Sequence, residues 1–281
     1  MFDWPRVDEA ALRARRRERV AELMSRRGLD HLVLTSFDAI RYATDYRCLI
    51  IAEAFDWFAA VVDLEGECDV FVPWIDELRE RPDPEMPWIA SERPMPSWTP
   101  MHPHLGYWVR ELAGSLRVRG ARRVGFELVY ADLLEGLRAE LGGVELVPVA
   151  ADLQDLRLRK EPAEIELLAA ASYVNSRAAE AAMRGARPGM LDYDVLGLAM
   201  DSLQRAGVEF LSHSLCNVRR GSGTWFAAGN ELREATRSSS TSAATDAVGT
   251  PPTWPGPASW GSHRPPCRMP TGSSWRLSAS G

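Results

Sequence analysis

The sequence predicts an α/β protein in three parts: an α/β layer domain over residues 1–155, the first helices of an incomplete second domain over 156–234, and a disordered tail over 235–281. Three observations predict it. Strand-period and helix-period segments alternate up to about residue 150, two helical patterns then follow with no strand between them, and the composition changes altogether from residue 235 onward. A chain of 281 residues is long enough for two ordinary domains with real cores.

Leu12, Val20, Leu23 and Met24 recur among charges in residues 6–28, which predicts an amphipathic helix stopped by Gly28. Residues 29–35 alternate as a strand does, so the helix packs back onto a sheet. Residues 58–63 and 68–72 read as two strands joined by a short turn at Glu65, Gly66 and Glu67, a hairpin. Between Pro82 and Pro103 proline, methionine and tryptophan are dense and unperiodic, which predicts a long loop. Leu105, Trp108, Val109, Leu112 and Leu116 then fall at turn spacing on a helix, followed by a strand over 123–128, a helix over 131–141 and a strand over 144–149. Pro162 suits the first turn of a helix, Glu164 and Glu166 favour its N-terminal dipole, and the alanine-rich pattern runs to about Gly185. Gly189 and Leu191 introduce the next helix, which carries Val195, Leu196, Leu198, Met200 and Leu203 up to Gly207.

Apolar residues at 46% and charged residues at 26% are ordinary for a globular chain, and the net charge is −6. That charge is unevenly spread: from residue 235 onward four arginines face one aspartate, +3, which leaves −9 for residues 1–234. An acidic body argues against a nucleic-acid or anionic-membrane partner, which needs clustered positive charge. The run Arg13, Arg15, Arg16, Arg17 and Arg19 alternates with Glu9, Glu18 and Glu22 at helical spacing, which reads as a solvated helix face, with an anion or partner site as the alternative. Cys48, Cys68, Cys216 and Cys267 form no C-x-x-C pair, so neither a disulfide framework nor a zinc knuckle is indicated. With no apolar leader and no run of about 20 apolar residues, the expected location is the cytoplasm.

Four stretches, in order, resemble one family. They are the opening helix into residues 29–35, Asp38-Ala39-Ile40-Arg41-Tyr42-Ala43-Thr44-Asp45-Tyr46, which is similar to an N-I-R-Y-L-T-G-F segment, Arg123-Val124-Gly125-Phe126-Glu127, and residues 156–168, which are similar to an R-x-x-K-x-x-x-E-I linker. The fourth, with Arg157, Lys160, Glu164 and Ile165, is the most specific. Over residues 6–234 the chain resembles the creatinase, prolidase and aminopeptidase P family of metallopeptidases, whose catalytic half has the pita-bread fold. The resemblance implies an Xaa-Pro peptidase-like hydrolase, a homodimer, and two divalent ions (Mn, Zn, Co or Fe) held by two Asp, one His and two Glu that activate water. All of those ligands lie later in the family pattern than residue 234, so none is assigned here and no cofactor is expected in this chain.

From residue 235 to the end there is no Lys, Glu, Ile, Phe or Tyr. One reading is a Ser/Pro-rich disordered tail. The other starts from Lys160, the single lysine among 33 basic residues, which implies a GC-rich gene whose wrong frames yield Ser, Pro, Arg, Thr, Ala and Gly. If one base is lost near Ala235, Ser codons restore to apolar residues, Thr codons to an Asp class and Ala codons to a Gly class. Ser238-Ser239-Ser240-Thr241-Ser242-Ala243 then allows V-L-V-D-I-G, and the family's two Asp ligands fall where Thr241 and Thr253 stand. The chain is then truncated by a frameshift and inactive.

Other constellations are weaker. His102-Pro103-His104 lacks a third ligand, and Gly221-Ser222-Gly223 has the flanks of neither a nucleophile elbow nor a phosphate loop. In peptidases of the family a similar S-G segment precedes a Pro-His that touches substrate, whereas Trp225-Phe226 stands in that neighbourhood here. Trp225 is therefore a substrate-binding candidate, with simple packing as the alternative, and His213 is a catalytic candidate in place of the missing imidazole, with a satisfied structural histidine as the alternative. This departure points to a branch acting on a small molecule, creatinase-, ectoine hydrolase- or DMSP lyase-like. A non-enzymatic dimerisation or binding domain with a disordered tail is the reading from a different class.

Overall fold

The structure, a computed structural model, describes residues 2–47, 58–73, 86–89, 91–96, 104–128, 131–208, 210–217, 226–233 and 239–245. The chain forms two compact units, Val7–Glu161 and Met1–Arg6 with Pro162–Gly281.

The first unit runs α1 (Glu9–Arg27), β1 (His31–Leu34), α2 (Phe37–Thr44), β2 (Ala59–Asp63), β3 (Cys68–Pro73), β4 (Ser91–Met95), α3 (Leu105–Val118), β5 (Arg123–Phe126), α4 (Ala131–Glu140), β6 (Glu145–Pro148) and α5 (Ala150–Leu158). Helix α1 starts where the Asp8 carboxylate accepts the Ala11 N–H, and it stops at Gly28, whose φ of 63° only glycine adopts without strain. The sheet order is β4-β3-β2-β1-β5-β6. β2 runs antiparallel to both of its neighbours, β1 and β3, while β4 runs parallel to β3 and β5 and β6 continue parallel to β1.

Strand alternation sends neighbouring side chains to opposite faces, which makes three layers. Leu32, Leu34, Ala60, Val62, Val70 and Val72 share one core with Leu23 and Met24 of α1 and Ile40 of α2. Val33, Ala59, Val61 and Phe71 share the other with Trp108, Leu112 and Leu116 of α3 and Leu133 and Leu137 of α4. The predicted hairpin is the β2–β3 pair, and the predicted helices over 105–116 and 131–141 are α3 and α4.

Two expectations are corrected, and two helices are added. The stretch read as a long loop between Pro82 and Pro103 contains β4, which pairs along its length with β3. Pro94 hid it, and a proline is tolerated there because an edge strand needs partners on one side only. Helices α2 and α5 are the additions. The arginine run is a solvated face only in part: Arg15 and Arg17 are exposed, but Arg16 and Arg19 are buried. Their spacing of three puts them on the core side, where Arg19 donates to Leu156 O at 2.6 Å and Arg159 O at 2.8 Å.

The second unit holds α6 (Pro162–Gly185), α7 (Asp192–Arg205), β7 (Phe210–Asn217) and β8 (Ser239–Thr245). The two helices match their predicted spans. Phe2 and Trp4 belong to this unit: Trp4 Nε1 donates to Ala206 O at 2.8 Å, and Phe2 meets Trp4 edge to face. β7 and β8 pair antiparallel, with an irregularity between Leu211 and His213. The one described stretch of the tail is thus a strand rather than irregular chain. Its backbone groups find partners in β7, and threonine and serine do not oppose extended backbone.

Candidate functional site

The motifs that carry the family resemblance turn out to build the frame of the first unit. In 38–46, Asp45 caps α2 with φ 52°, the left-handed conformation that suits the glycine of the family segment. Its buried carboxylate accepts from Arg13 at 2.7 Å and from Arg47 at 3.0 Å, and Arg13 lies over the Trp88 ring at 3.7 Å. In 123–127, the Glu127 carboxylate accepts the N–H groups of Thr35 and Ser36 and the Ser36 hydroxyl, so it fixes the entry to α2 at the end of β1. In 156–168, Arg157 reaches Asp38 at 2.8 Å and Glu161 reaches Arg19 at 3.3 Å. These residues position backbone; none faces another in a catalytic arrangement.

A cleft of about 510 Å³ lies beside α1 and α5, lined among others by Arg19, Glu22, Arg26, Asp152, Asp155 and Arg159. Acid and base alternate around it, and Arg19 is already committed to backbone carbonyls. A second ionic cluster sits under α3. There Asp69, buried, accepts from Ser115 at 2.6 Å and from Arg119 and Arg93 at 3.2 Å, while Arg119 also binds Asp63 at 2.7 Å. Burial pushes the Asp69 carboxyl up, but the hydrogen bonds from Ser115 and Arg119 and the charges of Arg93 and Arg119 outweigh it and hold it below the ordinary carboxylate value.

The sequence candidates fall in the second unit. His213 stands on β7 opposite Ala243, and Thr241 stands on β8 opposite Leu215, two register positions along. Trp225 and Thr253 lie outside the described residues, as do His102 and the Gly221–Gly223 turn. Phe226, the neighbour of Trp225, is exposed. His104 is exposed at the start of α3. Cys216 on β7 is buried, and burial, helped by the charge of Asp192, pushes its thiol up to about 11, so it is neither thiolate nor nucleophile near neutral pH. The Cys68 thiol is pushed to about 11 by burial as well, and then by the charge of Asp69.

Sequence reasoning missed Asp192. It opens α7, is fully buried, and accepts from Ala228 N at 3.0 Å, Gly229 N at 2.8 Å and Asn230 Nδ2 at 3.0 Å. Burial raises its carboxyl, yet the Ala228, Asn230 and Gly229 donors win and leave it below the usual range. An acidic residue in a first helical turn reads as a dipole complement, so nothing local distinguishes it.

No group of three or more His, Cys, Asp and Glu side chains converges as a metal site among the described residues. No helix among them is long and apolar enough to cross a membrane.

The profile of the Creatinase/Prolidase N-terminal domain matches residues 16–159. No curated protein matches the chain. Among solved structures, the fold is similar to an Xaa-Pro dipeptidase from Bacillus anthracis (TM-score 0.61, 15% identity, covering 83% of this chain and 61% of that one). It is also similar to an X-Pro aminopeptidase from Thermotoga maritima (0.64, 14%, covering 82% and 61%). A prolidase from Pyrococcus furiosus matches at a TM-score of 0.59 with 17% identity over 82% of this chain and 66% of its own. The chain therefore spans about three fifths of the length of the first two of these structures and 66% of the third. With the domain profile matched over more than half of its residues, this chain belongs to the creatinase/prolidase family.

Proposed function

We propose that the chain is the amino-terminal part of an Xaa-Pro peptidase-like, metal-dependent hydrolase, and that as written it neither holds two divalent ions nor turns over substrate. The observation that carries this reading is the β7–β8 pair. A strand stands where the alternative frame spells V-L-V-D-I-G, but its present residues are only Ser, Thr and Ala. The names of the solved relatives, dipeptidase, aminopeptidase and prolidase, support a peptide substrate for the complete protein.

The residues present do not fit the two ions that the family uses. Such a pair needs bridging carboxylates to offset its charge, and neutral hydroxyls on β8 with His213 and Cys216 on β7 supply neither bridge nor charge. No step is therefore derived through metal in this chain.

A frame change near Ala235 accounts for the tail. Sequencing the gene across that codon, then restoring one base, tests it. The restored protein is expected to bind two divalent ions per chain and to hydrolyse Xaa-Pro dipeptides, with loss of both when the Asp at either the 241 or 253 position is changed to Ala. Two tightly bound ions and chelator-sensitive turnover in the present chain would overturn the reading. Trp225-Phe226 favours a second reading, a non-peptidase branch acting on a small molecule, which predicts turnover of a small amide or amidine and none of Xaa-Pro by the restored protein. An in-frame gene with a stable, inactive dimer would instead favour the binding-domain reading.

A further inference from the structure

The geometry points to Asp192 as a positioning residue: its carboxylate is a latch that holds residues 226–233, the segment that lies between β7 and β8. The inference rests on the reading above only in treating the β7–β8 pair as a candidate site.

The latch is built from both directions. All three donors to the carboxylate come from one short stretch, Ala228, Gly229 and Asn230. The backbone pairs the same two segments: Asp192 N donates to Asn230 O at 2.9 Å, Gly189 N to Leu232 O at 2.8 Å, and Leu232 N to Met190 O at 2.7 Å. Gly229 takes φ 78°, which turns its N–H onto Oδ1, and a Cβ there would meet the Tyr193 ring at 3.3 Å. The Asp192 side chain is fully buried beside the cluster of Leu232, Cys216, Val195 and Ala199, while Ala228 and Gly229 lie at the surface.

Only a carboxylate satisfies this arrangement. Three donors need two acceptor oxygens, and the N-terminal end of α7 favours the negative charge. Asparagine offers one oxygen and turns an NH2 toward an N–H that already needs an acceptor. The segment so held runs from Phe226 to Arg233 and stands in sequence between β7 and β8.

The test is amide hydrogen exchange on the full chain, unmodified and as Asp192→Asn. In the variant, protection of the Ala228 and Gly229 amides is expected to fall by about tenfold or more, as for loss of hydrogen bonds to a charged acceptor, while amides of α6 and of the six-stranded sheet keep theirs. In the unmodified chain the same two protection factors should fall as the pH drops below the ordinary aspartate value, and in Asp192→Asn they should be flat. Among the described residues, Tyr193 and Asp194 on α7, Glu231 and Arg233 on the segment and Cys216 on β7 are the other titratable or charged groups beside the latch; Cys216 stays neutral throughout that range. Unchanged protection at 228 and 229, or a loss spread evenly through α6 and α7, would overturn the inference. If the variant does not fold, the pH series on the unmodified chain decides, and a flat profile there overturns it. None of these readouts involves turnover, so failure of the peptidase reading leaves the latch standing.

Discussion

The two units of this chain are held together by different kinds of core. In Val7–Glu161 both faces of a six-stranded sheet are covered, and the fully buried side chains include Trp108, Tyr46, Phe71, Leu23 and Met24. In the second unit the clusters are small: Ala182, Ala186 and Ala199 around Val195, and Ala178 beside Val174, Leu203 and Val208. The sheets differ at their edges too. β4 ends the larger sheet with Arg93 and Pro94, and β6 ends it with Glu145 and Pro148, residues that discourage pairing with another chain. β7 and β8 form a two-stranded sheet, and β8 carries no charge and no proline. Two strands alone are marginal in water. The difference teaches that the larger unit rests on bulky apolar side chains packed on both faces of its sheet, whereas the described core of the smaller one is built mostly from small side chains.

The sharpest way to break that comparison is to cut the same depth into each core. Trp108 is fully buried and its indole N–H donates to Pro96 O at 3.0 Å, so Trp108→Ala removes packing and strands an acceptor. A loss of about 3–5 kcal/mol is expected from urea unfolding. Leu203 is equally inaccessible, but its neighbours are small, and Leu203→Ala should cost nearer about 2 kcal/mol. Equal losses would mean that the alanine-rich core is as tightly built as the other.

The Asp69 cluster gives the larger unit a pH dependence that can be read by mutation. Its carboxyl is held below the ordinary value in the folded chain, so it contributes stability that is present above the unfolded aspartate pKa of about 3.9 and is lost as pH falls through the lower folded value. Asp69→Asn leaves Arg119 with Asp63 but takes the charge from beneath Ser115 and Arg93. About 2–3 kcal/mol should be lost near neutral pH, and the acid-side slope of unfolding midpoint against pH should flatten. An unchanged slope would show that Asp69 is not the group that titrates.

How far the sequence carried depended on periodicity. α1 was legible because its apolar positions recur at helical spacing and Gly28 stops it; the β2–β3 hairpin was legible because Gly66 divides two apolar runs. α2 was not, since residues 39–44 are all buried and a helix hidden on every side has no polar face to mark its period. α5 buries only Leu153 and so shows no period either. At the candidate site, the frame argument marks a strand around Thr241, but neither its partner β7 nor the role of Asp192 was legible. Its partners stand some 36–38 residues away, and contacts at that separation leave no local pattern.

The smallest effect is the most discriminating one about ancestry. At Asp45 the family segment has glycine, and this chain places a carboxylate in the same left-handed conformation, φ 52°, tied to Arg13 and Arg47. Two contributions oppose each other. Relieving a non-glycine residue of that conformation is worth about 1 kcal/mol, and losing partly buried ion pairs costs a comparable amount. Asp45→Gly should therefore change stability by less than about 1 kcal/mol in either direction, whereas Asp45→Ala loses the ion pairs while keeping the strain and should be less stable than Asp45→Gly by about 1 kcal/mol. Thermal unfolding of the pair decides it. If the alanine variant matches the glycine variant, backbone conformation is not what the position selects, and the carboxylate stands there for its bridges to Arg13 and Arg47 alone.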